Sequence, residues 1–235
     1  MKLNMKQAER IQTSFVNAME KKVLVWLAKH QPRWVTSDML TMVGVGGALL
    51  VAVGFVLSNI EIHWLWLSSF GLVVNWYGDS LDGTLARVRD CQRPVYGYFL
   101  DHIVDCVNEA FMFIGAGLSP FLRLDLALMA YSLYLALTVN VSINAYLKGE
   151  FRLTYIKLGP TEFRLIVVIV NTLLIAIPVM SKMHHTYILA DHAISMCILD
   201  YVAVVVILIM AFIFLFTAIS DACKYAVEDP PKHHR

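Results

Sequence analysis

The chain has 235 residues, 58% of them hydrophobic, and a mean hydropathy of +0.63. This composition excludes an ordinary soluble globular domain, in which only about half of the residues are apolar. The formal net charge of +1 is close to zero, and we expect no nucleic-acid partner because such partners select a strongly basic surface.

The first 34 residues are predicted to form an amphipathic juxtamembrane segment. Within residues 7–30, apolar side chains recur every four positions, at Ile11, Phe15, Met19, Val23 and Leu27. Lysines lie on or near the opposite face of this predicted helix. The pattern predicts a helix that lies in the membrane interface and is attracted to anionic lipid head groups. We therefore assign residues 1–34 to this helix and not to a membrane span.

Six later stretches are long and apolar enough to cross a bilayer, which requires about 20 apolar residues. They lie near residues 38–59, 62–87, 96–118, 123–148, 160–181 and 197–222. Their connections are short, so neighbouring helices are expected to run antiparallel in one compact bundle. The predicted fold is an all-α integral membrane protein, with a six-helix transmembrane domain over 35–225 and a cytoplasmic tail over 226–235.

The distribution of lysine and arginine predicts the orientation of this bundle. An even number of spans leaves both termini on one side of the membrane. All but two of the 19 lysines and arginines fall on that side, the exceptions being Arg123 and Lys182. Basic residues accumulate on the cytoplasmic side of membrane proteins. We therefore expect both termini in the cytoplasm and the protein in a bacterial inner membrane.

Four carboxylates lie inside or at the edge of the second and third predicted spans. Asp79 and Asp82 are three residues apart and Asp101 and Asp105 are four apart, so each pair shares one helix face. Ionised carboxylates are costly in a membrane, and four together repel one another. The cluster therefore needs a strongly cationic partner. A hard divalent metal with oxygen ligands fits this requirement, and such metals also bind phosphates.

The same stretch resembles the signature of a known enzyme family. The pattern D-x2-D-G-x2-A-R … G-x3-D-x3-D is similar to that of the CDP-alcohol phosphotransferases, integral-membrane enzymes that make phospholipids from CDP-linked donors. Every signature position is present, at Asp79, Asp82, Gly83, Ala86, Arg87, Gly97, Asp101 and Asp105. The segment between Arg87 and Gly97 is one residue longer than is usual in the family. We expect the loop 88–96 to absorb this residue without moving the carboxylates.

The resemblance implies transfer of a CDP-linked phosphoryl or phosphatidyl group to an alcohol, with release of CMP. It implies two Mg²⁺ or Mn²⁺ ions on the four aspartates, with Asp105 also acting as the general base. Residues expected to contact the CDP-linked donor are Thr41, Asp82, Gly83, Ala86, Arg87 and Gly97. By the same resemblance, the protein is expected to be a homodimer.

The acceptor site is predicted from polar residues outside the signature. The candidates are Glu109, Asn140, Asn144, Arg152, Lys157 and Arg164. The first three suit a hydroxyl-rich head group, but polar residues in membrane bundles also commonly join helices. The three basic residues suit a phosphate on the acceptor, although the cytoplasmic bias of basic residues explains them equally well. Both interpretations stay open for each set.

Two alternative functions also stay open. His102 and the segment Gly159-Pro160-Thr161-Glu162 resemble the aminoalcohol branch of the family, which transfers phosphocholine or phosphoethanolamine to diacylglycerol. Members of that branch are generally longer, so the compact length favours CDP-diacylglycerol as the donor and a small polar alcohol as the acceptor. A divalent-ion transporter also carries membrane aspartates, but it has no evident need for the D-G-x2-A-R pattern between them.

Overall fold

The computed structural model describes residues 17–148, 160–177, 179–180, 183–189 and 192–231, and most of these residues are helical. The helices are α1 (Asn17–His30), α2 (Ser37–Leu57), α3 (Leu65–Val88), α4 (Pro94–Gly117), α5 (Leu124–Lys148), α6 (Pro160–Ala176) and α7 (Ile198–Glu228). A 3-10 turn, Ile62–Trp64, leads into α3. The predicted all-α fold class is confirmed.

A short β-hairpin between α6 and α7 was not predicted. Strand β1 (His184–Leu189) pairs antiparallel with β2 (His192–Cys197), with His184 opposite Cys197. Helix α6 ends at Ala176, before the predicted end of its span at 181. The hairpin sequence contains several β-branched and aromatic residues, which favour strands over helix.

Each of the six predicted spans overlaps one of the helices α2 to α7. Among the described residues, three segments are both long and apolar enough to cross a membrane: Ser37–Leu57, Leu124–Leu147 and Ile198–Glu228. Helix α6 has only 17 residues, and α3 and α4 contain the charged residues of the signature. The chain therefore has the apolar helices of a membrane protein, while the count of six spans stays a prediction.

Helix α1 packs against the end of α3 that carries the signature. Leu24 and Ala28 are buried in a cluster that also contains Leu81 and Leu85 of α3. Met19 and Val23, which belong to the predicted apolar face, are exposed in the monomer, as is Trp26. Residues 1–16 lie outside the described residues, so the position of this helix at a membrane surface stays a prediction.

Helices α2 and α3 approach each other closely because glycines line their interface. A Cβ atom added to Gly47 would lie 2.3 Å from the backbone nitrogen of Asn75, and one added to Gly78 would lie 2.3 Å from that of Gly44. The side-chain amide of Asn75 donates a 3.0 Å hydrogen bond to the carbonyl of Gly44. Small residues of this kind let helix backbones pack together in membranes. This contact brings the start of α2 against the end of α3, where the signature begins.

The buried carboxylate of Asp200 joins the start of α7 to the connection between α4 and α5. It accepts hydrogen bonds from the backbone N–H groups of Arg123, at 2.8 Å, and Cys197, at 2.7 Å. Only 2% of Asp200 is exposed. Buried carboxylates need such donors, so this residue holds the end of the bundle opposite to the signature.

Candidate active site

The signature occupies the end of α3, a five-residue connection and the first half of α4. Helix α3 ends in a Schellman motif: the N–H of Asp90 donates to the carbonyl of Arg87, and that of Cys91 donates to Ala86. Asp90 adopts a left-handed conformation with φ of 51°, where glycine is more usual. Pro94 then begins α4. The longer loop thus fits between the regular end of α3 and the proline that begins α4.

Side-chain contacts attach this connection to the segment between α1 and α2. The guanidinium of Arg89 donates to the backbone carbonyls of Gln31, at 3.1 Å, and Pro32, at 2.8 Å. Arg93 pairs with Asp38 of α2, with a 2.7 Å hydrogen bond to Oδ2. The bond to Asp38 raises the pKa of Arg93 above its usual value. These contacts hold α3 and α4 in a fixed relation at the signature loop.

Three of the four signature aspartates converge across α3 and α4. Asp79, Asp101 and Asp105 each offer a carboxylate oxygen, and these oxygens all lie within 4.8 Å of one another. Asp82 is directed by different contacts. Its Oδ2 accepts a 2.6 Å hydrogen bond from the hydroxyl of Thr41 in α2, and its Oδ1 accepts from the backbone N–H of Gly83. The predicted convergence of acids from the two helices is therefore present in the structure.

A small cavity of about 10 Å³ lies among these carboxylates. Its lining residues are Thr41, Gly44, Asp79, Asp82, Asp101, Val104, Asp105 and Asn108. This volume is close to the minimum that one water molecule requires. The side-chain oxygen of Asn108 is buried and has no hydrogen-bond partner among the described residues. Carboxylate and amide oxygens are the ligands that hard divalent cations take in proteins, so the residues present fit such an ion.

A cationic side chain from α6 also reaches this cluster. The guanidinium of Arg164 donates a 2.6 Å hydrogen bond to Oδ2 of Asp79, and both side chains are largely buried. Sequence reasoning made Arg164 a candidate for binding an acceptor phosphate. In the structure it offsets part of the negative charge of the aspartate cluster, and its role toward an acceptor stays a prediction.

Comparison with known proteins gives one informative match. Phosphatidylinositol phosphate synthase from Cutibacterium acnes is 34% identical to this chain over 84 residues, which cover 36% of this chain and 38% of that protein. That protein is a CDP-alcohol phosphotransferase. The resemblance to this family is confirmed. No family model matches the chain, and the chain spans well under half of the length of the relative it matches.

The remaining positions of the CDP-alcohol phosphotransferase signature lie around the aspartates. Arg87 folds back along α3 and donates a 2.9 Å hydrogen bond to the hydroxyl of Thr84. A Cβ added to Gly83 would meet only this arginine, at 3.4 Å, and one added to Gly97 would meet nothing within 4 Å. Ala86 is partly exposed on the same helix. Gly97 therefore borders open space, and at Gly83 only the flexible side chain of Arg87 lies nearby.

Glu109 extends the row of acids on α4 deeper into the bundle. The hydroxyl of Tyr134 on α5 lies near its carboxylate. Its Oε2 atom is buried and has no hydrogen-bond partner among the described residues. An unpaired buried oxygen is costly, so this position suits a ligand or an ordered water.

Asn144 belongs to a polar cluster between α5 and α7 that sequence reasoning found only in part. Its side-chain amide donates a 2.8 Å hydrogen bond to Asp221, and its oxygen accepts a 2.6 Å bond from the hydroxyl of Tyr225. The side-chain nitrogen of Asn140 is buried and unpaired among the described residues. Asp221 and Tyr225 are four residues apart near the end of the last predicted span, so they share one helix face. That spacing is the sequence signal that could have identified them. Arg152 and Lys157 lie outside the described residues.

The polar cluster on α5 lies at about the depth of the aspartates. Helices α4 and α5 run antiparallel, and Tyr134 is level with Glu109. Asn144 lies ten residues after Tyr134, or about 15 Å along the axis, and Asp101 lies eight residues before Glu109, or about 12 Å. Asn144 and Asp101 therefore occupy similar levels on neighbouring helices.

Proposed function

We propose that this protein is an integral-membrane enzyme that transfers a phosphatidyl group from CDP-diacylglycerol to a small polar alcohol and releases CMP. The observation that carries the proposal is the convergence of Asp79, Asp101 and Asp105 at the signature. The name of the Cutibacterium acnes relative supports a phosphatidyl-transferring reaction over the aminoalcohol branch, because that protein is named for a product that carries a phosphatidyl group.

Divalent metal is part of this proposal. Asp79, Asp82, Asp101 and Asp105, which all border the same small cavity, would hold Mg²⁺ or Mn²⁺, and the family resemblance implies two such ions. When bound, such ions neutralise the diphosphate of the donor and stabilise the charge that develops as its bond to CMP breaks.

Asp105 is the proposed general base. The acceptor hydroxyl oxygen forms a bond to the phosphorus of the phosphatidyl group, and the bond from this phosphorus to the CMP oxygen breaks. The hydroxyl proton passes to the carboxylate of Asp105, and CMP leaves with the electron pair of the broken bond. A positioned carboxylate of this kind contributes about 10²–10⁴-fold to a reaction rate.

The donor is proposed to bind at the cytoplasmic edge of α3 and α4. The open space at Gly97, together with movement of the Arg87 side chain from beside Gly83, would admit its diphosphate and nucleotide. Arg87 would bind a donor phosphate through its planar guanidinium, which matches phosphate oxygens better than lysine does. Ala86 would lie beside the donor on the same face, and Thr41 would hold Asp82 in place through their hydrogen bond.

The acceptor is proposed to bind between α4, α5 and α7. The unpaired oxygen of Glu109 and the unpaired nitrogen of Asn140 suit the hydroxyl groups of a polyol. Asn144 would complete this pocket at the level of the aspartates. Arg152, Lys157 and Arg164 would attract a phosphate on the acceptor, and the name of the relative supports a phosphorylated polyol as one such acceptor.

The membrane arrangement is proposed from the charge distribution. The six helices α2 to α7 would cross a bacterial inner membrane with both termini and the aspartates at the cytoplasmic face. There the water-soluble nucleotide would enter and leave. We further propose a homodimer, which has support from the family resemblance alone.

The test is the substitution Asp105→Asn in protein reconstituted with CDP-diacylglycerol, a panel of polar alcohols and Mg²⁺. We expect CMP release to fall at least about 10²-fold while donor binding persists, because asparagine keeps the size of the side chain and cannot accept the proton. Asp90→Asn, which makes the same change in the exposed loop, is the control and should retain activity. Near-normal turnover of Asp105→Asn would show that Asp105 is not the general base. Uptake of divalent metal without release of CMP would favour a transporter.

A further inference from the structure

Glu20 joins the N-terminal helix to two helices of the proposed catalytic bundle. Its Oε1 atom accepts a 2.6 Å hydrogen bond from the indole N–H of Trp76 on α3. The same oxygen accepts a 2.7 Å hydrogen bond from the hydroxyl of Thr161 in the first turn of α6. One carboxylate oxygen therefore connects α1, α3 and α6, and bonds to a charged acceptor are stronger than neutral ones.

These bonds lie one helical turn from the ion pair at the aspartate cluster. Trp76 lies three residues before Asp79 on α3, and Thr161 lies three residues before Arg164 on α6. Residues three apart lie on the same side of a helix. The two helices that Glu20 connects are thus the two that the Arg164–Asp79 pair joins.

Helix α6 is attached to α3 at its other end as well. The side-chain amide of Asn171, buried in the bundle, donates a 3.2 Å hydrogen bond to the hydroxyl of Ser69. Arg164 lies between this contact and the one through Thr161. Its long side chain reaches Asp79 only if the first turns of α6 keep their distance from α3. Glu20 supplies a hydrogen-bonded connection between the two helices on the Thr161 side of Arg164.

A second contact between the N-terminal segment and α3 provides a comparison. The side-chain amide of Gln31 donates to the hydroxyl of Tyr77, the residue that follows Trp76. This bond attaches the same segment to the same helix but involves no atom of α6. Removing this bond therefore tests the attachment of the segment to α3 without changing a contact of α6.

We propose that Glu20 is a positioning residue, which acts through Thr161 to hold the start of α6 so that Arg164 reaches Asp79. The structural part of this inference stands on the hydrogen bonds alone, and its consequence for turnover rests on the proposed function. Glu20 touches neither the aspartates nor the cavity among them.

The test combines hydrogen exchange, read by mass spectrometry over residues 160–168, with CMP release in reconstituted protein. Glu20→Ala and Thr161→Val should each accelerate exchange at the start of α6 by about tenfold, the equivalent of one charge-assisted hydrogen bond. Each should lower kcat by about tenfold or more, since small displacements of distant groups carry large penalties in turnover. Glu20→Gln should come closer to the wild type than Glu20→Ala in both readouts, because one amide oxygen can accept both bonds, although without the added strength of the charge.

Gln31→Ala is the matched control and should leave both readouts at the wild-type level. The double variant Glu20→Ala/Thr161→Val should be no worse than Glu20→Ala alone, because Glu20→Ala has already removed the bond that Thr161→Val removes. The inference is overturned if Gln31→Ala matches Glu20→Ala, if the two single effects add, or if exchange over α6 is unchanged. If the wild-type protein releases no CMP, the proposed function fails, and the exchange measurements still decide the role of Glu20.

Discussion

The close contact between α2 and α3 makes Gly78→Ala a sharp test of how the site is held. A Cβ at this position would lie 2.3 Å from the backbone nitrogen of Gly44 and 2.4 Å from the carbonyl oxygen of Leu40. Ordinary contacts of a Cβ atom begin at 3.4 Å. Both opposing atoms belong to the backbone, so no side chain can rotate away. The two helices must therefore separate by about 1 Å to admit the methyl group.

This separation has two measurable consequences. Overpacking of a well-packed interface costs about 1–3 kcal/mol, which should lower the Tm of the purified protein. The 2.6 Å hydrogen bond from Thr41 to Asp82 crosses the same interface. An increase of about 1 Å takes it beyond hydrogen-bond range, so Asp82 loses the contact that directs it, and we expect a fall in turnover of about 10²-fold.

The assay compares CMP release and thermal unfolding for Gly78→Ala with those of Gly46→Ala. Gly46 lies on α2 beside this interface, but a Cβ added there meets no atom within 4 Å. Its substitution should leave turnover unchanged and stability equal or slightly higher, because alanine has the better helix propensity. If the two variants have the same Tm and the same turnover, the close packing of α2 on α3 does not position the site.

Three further predictions follow from the same structure. Asp200→Ala removes the acceptor of two backbone N–H groups, at Arg123 and Cys197, and should lower the free energy of unfolding by about 2–4 kcal/mol; an unchanged Tm would contradict this role. Thr41→Val keeps the shape of the side chain but leaves Asp82 without its hydroxyl donor. Thr41→Val should lower metal-dependent activity, while Thr41→Ser should retain it. Equal activities of the two variants would show that the hydroxyl is not needed to position Asp82. Excess chelator should abolish CMP release and added Mg²⁺ should restore it, whereas release that continues in chelator would end the metal proposal.

The convergence of the aspartates was predictable because helical periodicity is a local property. Spacings of three and four residues place each pair on one face, and a short connection returns the second helix beside the first. The positions of α2 to α5 follow for a similar reason, since long apolar stretches form helices whatever their neighbours are. The hairpin before α7 was harder to predict from the sequence, because short segments that mix apolar and polar residues fit a loop or a strand equally well.

Contacts between distant segments were not predictable from the sequence. Arg164 was assigned to an acceptor phosphate because its position among other basic residues was its only local signal. Its partner Asp79 lies 85 residues away in the chain. Likewise, nothing near Glu20 indicates a bond to Thr161, which lies 141 residues further on.

The amino-acid order by itself determined the helices α2 to α5, which acids share a face and which family the signature resembles, because these depend on spacing within one segment. The packed bundle decided which cation reaches the aspartates, where Asp82 points and what holds α6. Those features depend on the rotation and approach of helices that are distant in the chain, and glycine contacts and buried hydrogen bonds set both.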